Sequence, residues 1–406
     1  MRALWVKANK LLPAQSGGDI RSYNIAKQLA RRHQLTFFSY YDGEPDVEYE
    51  RALQGEFPGA ICLSTGKHNT GFLQRGLDYA FQAVGDEPYA VSRFASAQVR
   101  SRLQNYYADR SFDLVVCDFL DAAVNFPAEL SIPTILFQHN VESEIWRRHA
   151  ETESNPGKRM LYKMEFAKML RYEEKIVREF HHVIAVSEHD RRLMQKWVDG
   201  SRIDVVPTGV DLEKFTVADP DVIDASLVVF VGAMDWEPNI DAVDYFCDEI
   251  WPAVQAKVLG ARFRIVGRNP DTRVLRRASN TVEVTGSVPS VLQHLQEAAA
   301  VVVPLRIGGG TRLKIYEAMA LGKAVVSTSV GAEGLEVNNG NDIVLEDAPE
   351  AFADWTAKFL TDSSERRRFG VAAAATAARF NWPSISEKFG QVLRAVIENY
   401  ETMSVQ

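Results

Sequence analysis

The sequence predicts an α/β protein built as two Rossmann-like domains facing a cleft, and three observations carry that reading. The first is length: 406 residues, at about 100–200 residues per domain, suggest two domains or three. The second is composition. With 46% hydrophobic, 25% charged and 10% aromatic residues, 25 Gly and 16 Pro, the chain resembles an ordinary folded enzyme, which excludes wholesale disorder, collagen and coiled coil. The third is rhythm: short apolar runs of the buried-strand type alternate with stretches of helical spacing. That alternation argues for parallel sheets covered on both faces.

The elements follow in order. Residues 3–6 are a short apolar run, and residues 13–18 are a loop rich in breakers. From Asp19 the apolar residues Ile20, Tyr23, Ile25, Ala26 and Leu29 fall at helical spacing. Residues 35–40, 114–117 and 134–137 continue the strand pattern. Residues 156–180 are strongly helical, with seven Lys/Arg and four acids. A strand at 182–186 follows, and Ser187-Glu-His-Asp190 is a capping-box pattern that opens a helix. Residues 203–206 are the next strand, and residues 212–226 resemble a linker. A second series then runs through 227–231, 263–266, 282–284, 299–303 and 324–327. These five strands each end at or near Gly or Pro, which places ligand-facing loops at the strand C-termini. A helix at 385–400 closes the chain after Pro383.

Charge and cysteine usage narrow the class of function. With 46 Lys+Arg against 54 Asp+Glu the formal charge is −8, whereas a general nucleic-acid binder is usually basic. Cys62, Cys117 and Cys247 lie far apart and form neither a CxxC nor a Cys/His pattern, which fits a reducing compartment. The first residues lack the long apolar core of a signal peptide, and no apolar run approaches about 18 residues. A cytoplasmic protein is the expectation.

The most informative segment is Val303-PLRIGGGTRLKIYEAMALGKAVVST. A buried strand enters three glycines, Gly308, Gly309 and Gly310, and a helix begins near Thr311. Backbone N–H groups in such a turn can approach an anion, and a helix N-terminus adds about half a positive charge. Arg306, Arg312 and Lys314 surround the turn with cations, and Glu317 stands where a carboxylate can accept from ribose hydroxyls. A pyrophosphate could be held here without a metal, and its charge as a leaving group stabilised. The spacing is not that of a Walker A loop.

At this point the chain resembles the retaining GT-B-fold glycosyltransferases of group 1/family 4, which use nucleotide-diphosphate sugars. The residues that carry the resemblance spread over nearly the whole chain: Pro13-Ala-Gln-Ser-Gly17-Gly18 before a helix; Val206-Pro-Thr-Gly-Val-Asp211; Phe230-Val-Gly232; Ile265-Val-Gly267; Glu317-Ala-Met-Ala-Leu-Gly322-Lys-Ala-Val-Val; and Phe380-Asn-Trp382. The resemblance implies an acceptor-binding domain over 1–210, a donor-binding domain over 211–382, and a helix over 383–406 that crosses back to the N-terminal domain. It implies that Gly17 and Gly18 face the donor phosphate, that His139 lies beside the donor sugar, and that Gly286, Ser287 and Val288 lie near the base. Gly310, Thr311 and Arg312 would cradle the diphosphate, and Glu317 would hold the ribose.

Two departures stand out. Where the family often has a first Glu eight positions before Glu317, this chain has Gly309, as in a subgroup with Gly-Gly/Ser-Gly-Thr-Arg-Leu-Lys here. The family also usually supplies Arg and Lys after its first C-domain strand. The segment from Gly232 to Asn239 has neither, so Arg306, Arg312 or Lys314 is expected to substitute.

Other residues have more than one reading each. Asp118, at the end of a strand, is a candidate acceptor contact or a loop carboxylate bonded to nearby backbone. Glu142 either contacts the acceptor or caps the following helix. His181, His182 and His189 lack a carboxylate cluster at ligand spacing, so no metal is expected. The basic stretch 156–180 has three readings: a packed helix with a charged face, a peripheral contact with anionic lipid at the inner face of a membrane, or, least favoured, a nucleic-acid contact.

The expected activity is retaining, metal-independent transfer of a hexose-type sugar from a UDP- or GDP-sugar to a hydroxyl of a sugar, glycolipid or small-molecule acceptor. Polysaccharide or glycolipid biosynthesis is the expected setting, and neither a cofactor nor a nucleic-acid partner is expected. The alternatives are a nucleotide-sugar epimerase or hydrolase on the same fold and a non-catalytic carbohydrate-binding scaffold. A dehydrogenase is disfavoured, because no early GxGxxG opens the first helix.

Overall fold

A computed structural model describes residues 1–66 and 87–404. They form two compact units, Met1–Pro207 with Pro383–Gln406, and Thr208–Trp382. The expected domain limit after residue 210 therefore stands three residues beyond the observed division.

The first unit is built on strands β1 (Arg2–Ala8), β2 (Gln34–Tyr41), β3 (Ile61–Ser64), β4 (Leu114–Asp118), β5 (Thr134–Gln138), β6 (His182–Ala185) and β7 (Ile203–Val205). They pair in parallel in the order β3-β2-β1-β4-β5-β6-β7. Every residue of β4 and β5 is buried, which is why these strands read as continuous apolar runs rather than alternating ones. Each fully buried Val or Leu in them contributes about 1.5–3 kcal/mol. The sequence pattern misses β3, whose four residues are only half-buried at the sheet edge.

The first helix, Gly17–Ala30, starts where Ser16 accepts from the backbone N–H of Asp19 at 3.1 Å. It buries Ile25, Ala26 and Leu29 as the spacing predicts, but also Arg21 and Ser22. The 24-residue helix Pro156–Glu179 begins at an Asn155 cap, with Pro at its first position. Ser187 caps the helix Glu188–Met194 by accepting from Asp190 N at 3.0 Å. The final helix, Trp382–Ser404, packs Phe389 against Trp5 and Phe137, with ring centroids 5.5 and 4.9 Å apart. The C-terminal residues thus complete the core of the N-terminal unit.

The second unit holds β8 (Asp224–Val231), β9 (Arg262–Val266), β10 (Val282–Val284), β11 (Ala298–Val303), β12 (Ala324–Ser327) and β13 (Val344–Leu345). These pair in parallel in the order β10-β9-β8-β11-β12-β13. Residues 224–226, expected in a linker, belong to β8. The two-residue β13 is too short to leave a pattern. In both sheets the strand order reverses beside the first strand, between β1 and β4 and between β8 and β11. Ligands bind at such switch points in doubly wound sheets.

Candidate functional site

The switch point of the first sheet carries a buried polar cluster. Asp118 ends β4 with no exposed surface. It accepts from Trp5 Nε1 at 2.9 Å, Ser22 Oγ at 3.0 Å and His139 Nε2 at 2.7 Å. The Lys7 ammonium lies 3.6 Å from Asp118 and 3.2 Å from Asp19. Burial alone would raise the Asp118 carboxyl; Lys7 and the hydrogen bonds from His139 and Trp5 outweigh it and hold the carboxyl well below the usual range. Lys7 moves the other way. Burial lowers it, but Asp118 and Asp19 together raise it.

The His139 tautomer follows from its partners. Arg21 Nη1 stands 2.9 Å from Nδ1, and a guanidinium can only donate, so Nδ1 accepts and Nε2 carries the hydrogen given to Asp118. Burial pushes the imidazole down to about 3, with Arg21 and Lys7 adding and Asp118 opposing. Sequence reasoning places His139 at the catalytic centre, as a hydrogen-bond partner of the sugar or the acceptor and not as a nucleophile. In this arrangement both ring nitrogens are engaged inside the protein instead, and the ring face stacks on Phe119 at 3.7 Å and 6°.

Phe119 is held in a left-handed backbone conformation, φ 71°, a conformation that costs about 1–3 kcal/mol and clusters at functional sites. Its ring lies 4.4 Å below the Lys7 ammonium. A Cβ on Gly18 would come within 2.2 Å of that ring, whereas one on Gly17 would meet open space. Gly18 is therefore required by close approach. Asp118, with no exposed surface, positions Lys7, His139 and Ser22 rather than presenting itself to an acceptor.

A second group of acids lies nearby. Glu142 is the first residue of the helix Glu142–Thr152, whose cap residue Val141 offers no side-chain oxygen. Glu173 does the capping from the neighbouring long helix: its carboxylate accepts from Glu142 N at 2.8 Å, Ser143 N at 3.1 Å and Ser143 Oγ at 2.6 Å. Gln138 Nε2 adds a fourth bond at 2.6 Å. Of the two readings of Glu142, capping belongs to Glu173. Burial, then Asp121 and Glu173, push Glu142 up to about 8; burial likewise raises Glu173 to about 7 and Asp121 to about 6. Lys7, Arg21, Phe119, Asp121 and Glu173 escaped the sequence reading. The available signal was a lysine closing the apolar run of β1, beside an aspartate closing that of β4.

The switch point of the second sheet holds the remaining candidates. Gly232 follows β8, and Gly267 follows β9 so closely that a Cβ there would meet Gly232 O at 1.6 Å. Gly308 and Gly310 take φ of 146° and 65° in the turn after β11, and the helix Leu313–Ala320 follows. Arg312 folds onto this turn, its Nη1 donating to the carbonyls of Gly309 and Gly310, and Thr311 is buried. Lys314 Nζ donates to Asn239 Oδ1 at 3.0 Å and lies 4.6 Å over the Phe230 ring. Burial and then Arg312 push Lys314 down to about 7, against Glu317. Burial pushes Glu317 up to about 7, against Lys214 and Lys314.

Not every candidate joins this group. Arg306 forms a two-pronged pair with Asp241, at 3.0 and 2.5 Å. Gly286 has φ 69° and lies with exposed Ser287 and half-buried Val288 beyond β10, two strands from β8. His181 accepts from Thr134 N at 3.2 Å and His182 pairs with Asp204 at 3.0 Å. Among the described residues no three His, Cys, Asp or Glu side chains converge as a metal site, and no helix is long and apolar enough to cross a membrane.

Comparison with known proteins places the chain in a family. A family profile described as Glycosyltransferase Family 4 matches residues 16–214, and one described as Glycosyl transferases group 1 matches residues 225–362. The chain belongs to the GT-B glycosyltransferases of group 1/family 4. This glycosyltransferase is 23% identical over 357 residues to an uncharacterized 44.6 kDa protein in the cps region of Klebsiella pneumoniae, covering 84% of this chain and 86% of the relative. It is 28% identical over 241 residues to D-inositol 3-phosphate glycosyltransferase of Nocardia farcinica, covering 53% of this chain and 52% of that relative. Among solved structures, sucrose-phosphate synthase from Thermosynechococcus elongatus superposes with a TM-score of 0.73 at 16% identity, over 98% of this chain and 100% of the other. Anabaena HepE in complex with UDP and glucose gives 0.69 at 15% identity, over 97% and 100%. The glycosyltransferase thus shares the two-sheet GT-B architecture with both.

Proposed function

We propose that this glycosyltransferase moves a hexose-type sugar from a nucleoside diphosphate sugar to an acceptor hydroxyl, with retention at the anomeric carbon and without a metal. The observation that supports this most is the Gly308–Gly310 turn, closed by Arg312, running into a helix whose first turns carry Lys314 and Glu317. A turn of this kind offers N–H groups, a helix N-terminus and fixed cations to a diphosphate. The anomeric C–O bond to phosphate breaks, the acceptor oxygen bonds the same carbon on the same face, and its proton passes to the departing phosphate. Lys7, Asp118 and His139 form the fixed floor of the other switch point, and the Glu142 and Asp121 carboxyls beside it are the candidate acceptor contacts.

UDP is the first nucleotide to try, because a neighbour of the same fold holds UDP and glucose; GDP is the second. Polysaccharide or glycolipid assembly is the setting, and one surface supports a peripheral membrane contact. At the start of the long helix, Met160 and Met164 are 61% and 41% exposed beside exposed Lys158, Arg159 and Lys163. The deciding experiment is thermal stability against UDP, GDP, ADP, TDP and CMP in chelator, with NAD as control. A ligand at about 100 times its dissociation constant adds about 2.7 kcal/mol, so one diphosphate is expected to shift the melting temperature selectively. A folded sample that responds to none of them refutes the donor assignment.

A further inference from the structure

Three cations surround the glycine turn of the second sheet, and their geometry separates them. Arg306 is drawn to Asp241 and stacks 4.6 Å from the Tyr245 ring centroid. Arg312 has turned back on Gly309 and Gly310, so its charge shapes the turn from within. Lys314 bridges the first turn of the helix Glu237–Tyr245 and the end of β8, whereas Arg306 meets that helix further along, at Asp241 and Tyr245. Its ammonium contacts Asn239 in that helix and the face of Phe230 near the end of β8. The segment from Gly232 to Asn239, which spans the connection after β8 and the first turn of the helix, contains no Lys or Arg.

We propose that Lys314, rather than Arg306 or Arg312, supplies the cation that meets the donor diphosphate, with Asn239 holding its ammonium at the β8 connection. This rests on the reading that the site takes a nucleoside diphosphate. Gly232 fits the same arrangement. A Cβ there would come within 2.7 Å of Asn239 Nδ2, so glycine leaves room for the amide that orients the lysine.

A consequence is that donor binding takes up a proton. The charged groups facing Lys314 are Arg312 in the preceding turn and Glu317 one turn along its helix, itself faced by Lys214; β8 and the following helix present the neutral Phe230 and Asn239. Burial and Arg312 put the free ammonium near neutrality, at about 7. A diphosphate brought against it favours the charged form, so above pH 7 the lysine must be protonated as the ligand binds. Glu317, at about 7, is largely ionised by pH 8.5. A phosphate's second ionisation, at about 6, is complete there too.

The test is calorimetric titration of the full chain with UDP and with GDP, without metal, at pH 7.5 and 8.5 in buffers of different ionisation enthalpy. The wild type is expected to take up close to one proton at pH 8.5 and to lose affinity by several-fold, up to about tenfold, across that unit. Lys314→Met is expected to weaken binding tenfold or more, and at least tenfold more than Arg306→Ala does. Lys314→Arg, always charged, is expected to bind without proton uptake and with a flat pH response. Wild-type affinity in Lys314→Met, or proton uptake persisting in Lys314→Arg, overturns the proposal; the second readout decides even where the methionine variant fails to fold. A folded wild-type chain that binds neither nucleotide removes the donor reading itself, and this proposal with it.

Discussion

His139 donates from Nε2 to Asp118 Oδ1 across 2.7 Å while its other nitrogen accepts from Arg21, so one imidazole ties the end of β5 to the end of β4 and to the first helix. Lys7 then depends on Asp118 for much of its compensation, since both are buried and only 3.6 Å apart. Asp118→Asn leaves Lys7 with Asp19 at 3.2 Å and the weaker field of Asp121. Removing one member of a buried pair costs about 3–5 kcal/mol, and the loss should show in urea unfolding. An Asp118→Asn chain within about 1 kcal/mol of wild type would contradict a structural charge cluster here.

The acids beside that cluster make stability depend on pH in a defined direction. Glu142 is raised to about 8, Glu173 to about 7 and Asp121 to about 6. Each therefore binds a proton more tightly folded than unfolded, so its stabilisation is complete at acid pH and is lost as pH rises through the folded value. His139 opposes them at lower pH. Its value of about 3 lies below its ordinary 6.5, so stability falls as pH drops from 6.5 toward 3. Three carboxyls outweigh one imidazole over most of this range, so on these groups the melting temperature should rise from pH 8.5 down to about 4.5 and decline only below that, where the carboxyl gain is complete and the His139 loss continues. Glu142→Gln should raise it at pH 8.5 and much less at pH 5.5. An equal shift at both pH values would mean that Glu142 titrates normally.

Most of the frame was legible because buried parallel strands leave continuous apolar runs. Residues 282–284 and 324–327 match β10 and β12 to the residue. The glycine turn of the second sheet was legible too, since three glycines between a buried strand and a helix leave little else to build. The polar cluster of the first sheet was not, because it is assembled by contacts between residues far apart in sequence. Arg21 and Asp118 are separated by 97 positions and meet through His139. On helical spacing alone Arg21 and Ser22 belong to a solvent face, and only the polar ends of β4 and β5 turn that face inward. Glu173 was hidden for a similar reason: it caps a helix 30 residues before it.

Gly18 and Phe119 make a sharper test of the same floor. A methyl at position 18 would sit 2.2 Å from the Phe119 ring, which is already fixed between Lys7 and His139. Gly18→Ala must therefore displace the ring, while Gly17→Ala meets open space. Transferase turnover is expected to fall about 100-fold or more in Gly18→Ala, as misplacement by about 1 Å costs that much. Its fold should survive by circular dichroism. Equal activity in Gly17→Ala and Gly18→Ala would mean that the ring is free to move.

The exposed start of the long helix is tested with vesicles. Lys158, Arg159 and Lys163 each add about 1 kcal/mol of attraction to an anionic surface, and Met160 and Met164 supply apolar contact. Co-sedimentation is expected with phosphatidylglycerol vesicles and not with phosphatidylcholine ones, and should fall with salt. Replacing the three basic residues with Gln should abolish it without changing the melting temperature. Binding that survives the triple change would place any membrane contact elsewhere.

Arg312 and Glu317 distinguish support of the proposed donor site from contact with the donor. Arg312 donates to the carbonyls of Gly309 and Gly310 and carries its charge at the base of the turn. Arg312→Lys keeps the charge but replaces the rigid planar guanidinium, whose Nη1 donates to both carbonyls, with a flexible ammonium on a different stem. It should therefore lose nearly as much kcat/KM as Arg312→Ala, about 100-fold for either. Glu317 has no such geometric duty toward the turn, and its carboxyl near neutrality can accept or donate. Glu317→Gln should accordingly keep part of the donor affinity that Glu317→Ala loses. The pattern to look for in initial rates is no rescue by the conservative change at 312 and partial rescue at 317. Full rescue by Arg312→Lys would move that residue from shaping the turn to meeting the phosphate as a simple point charge, and would return it to competition with Lys314.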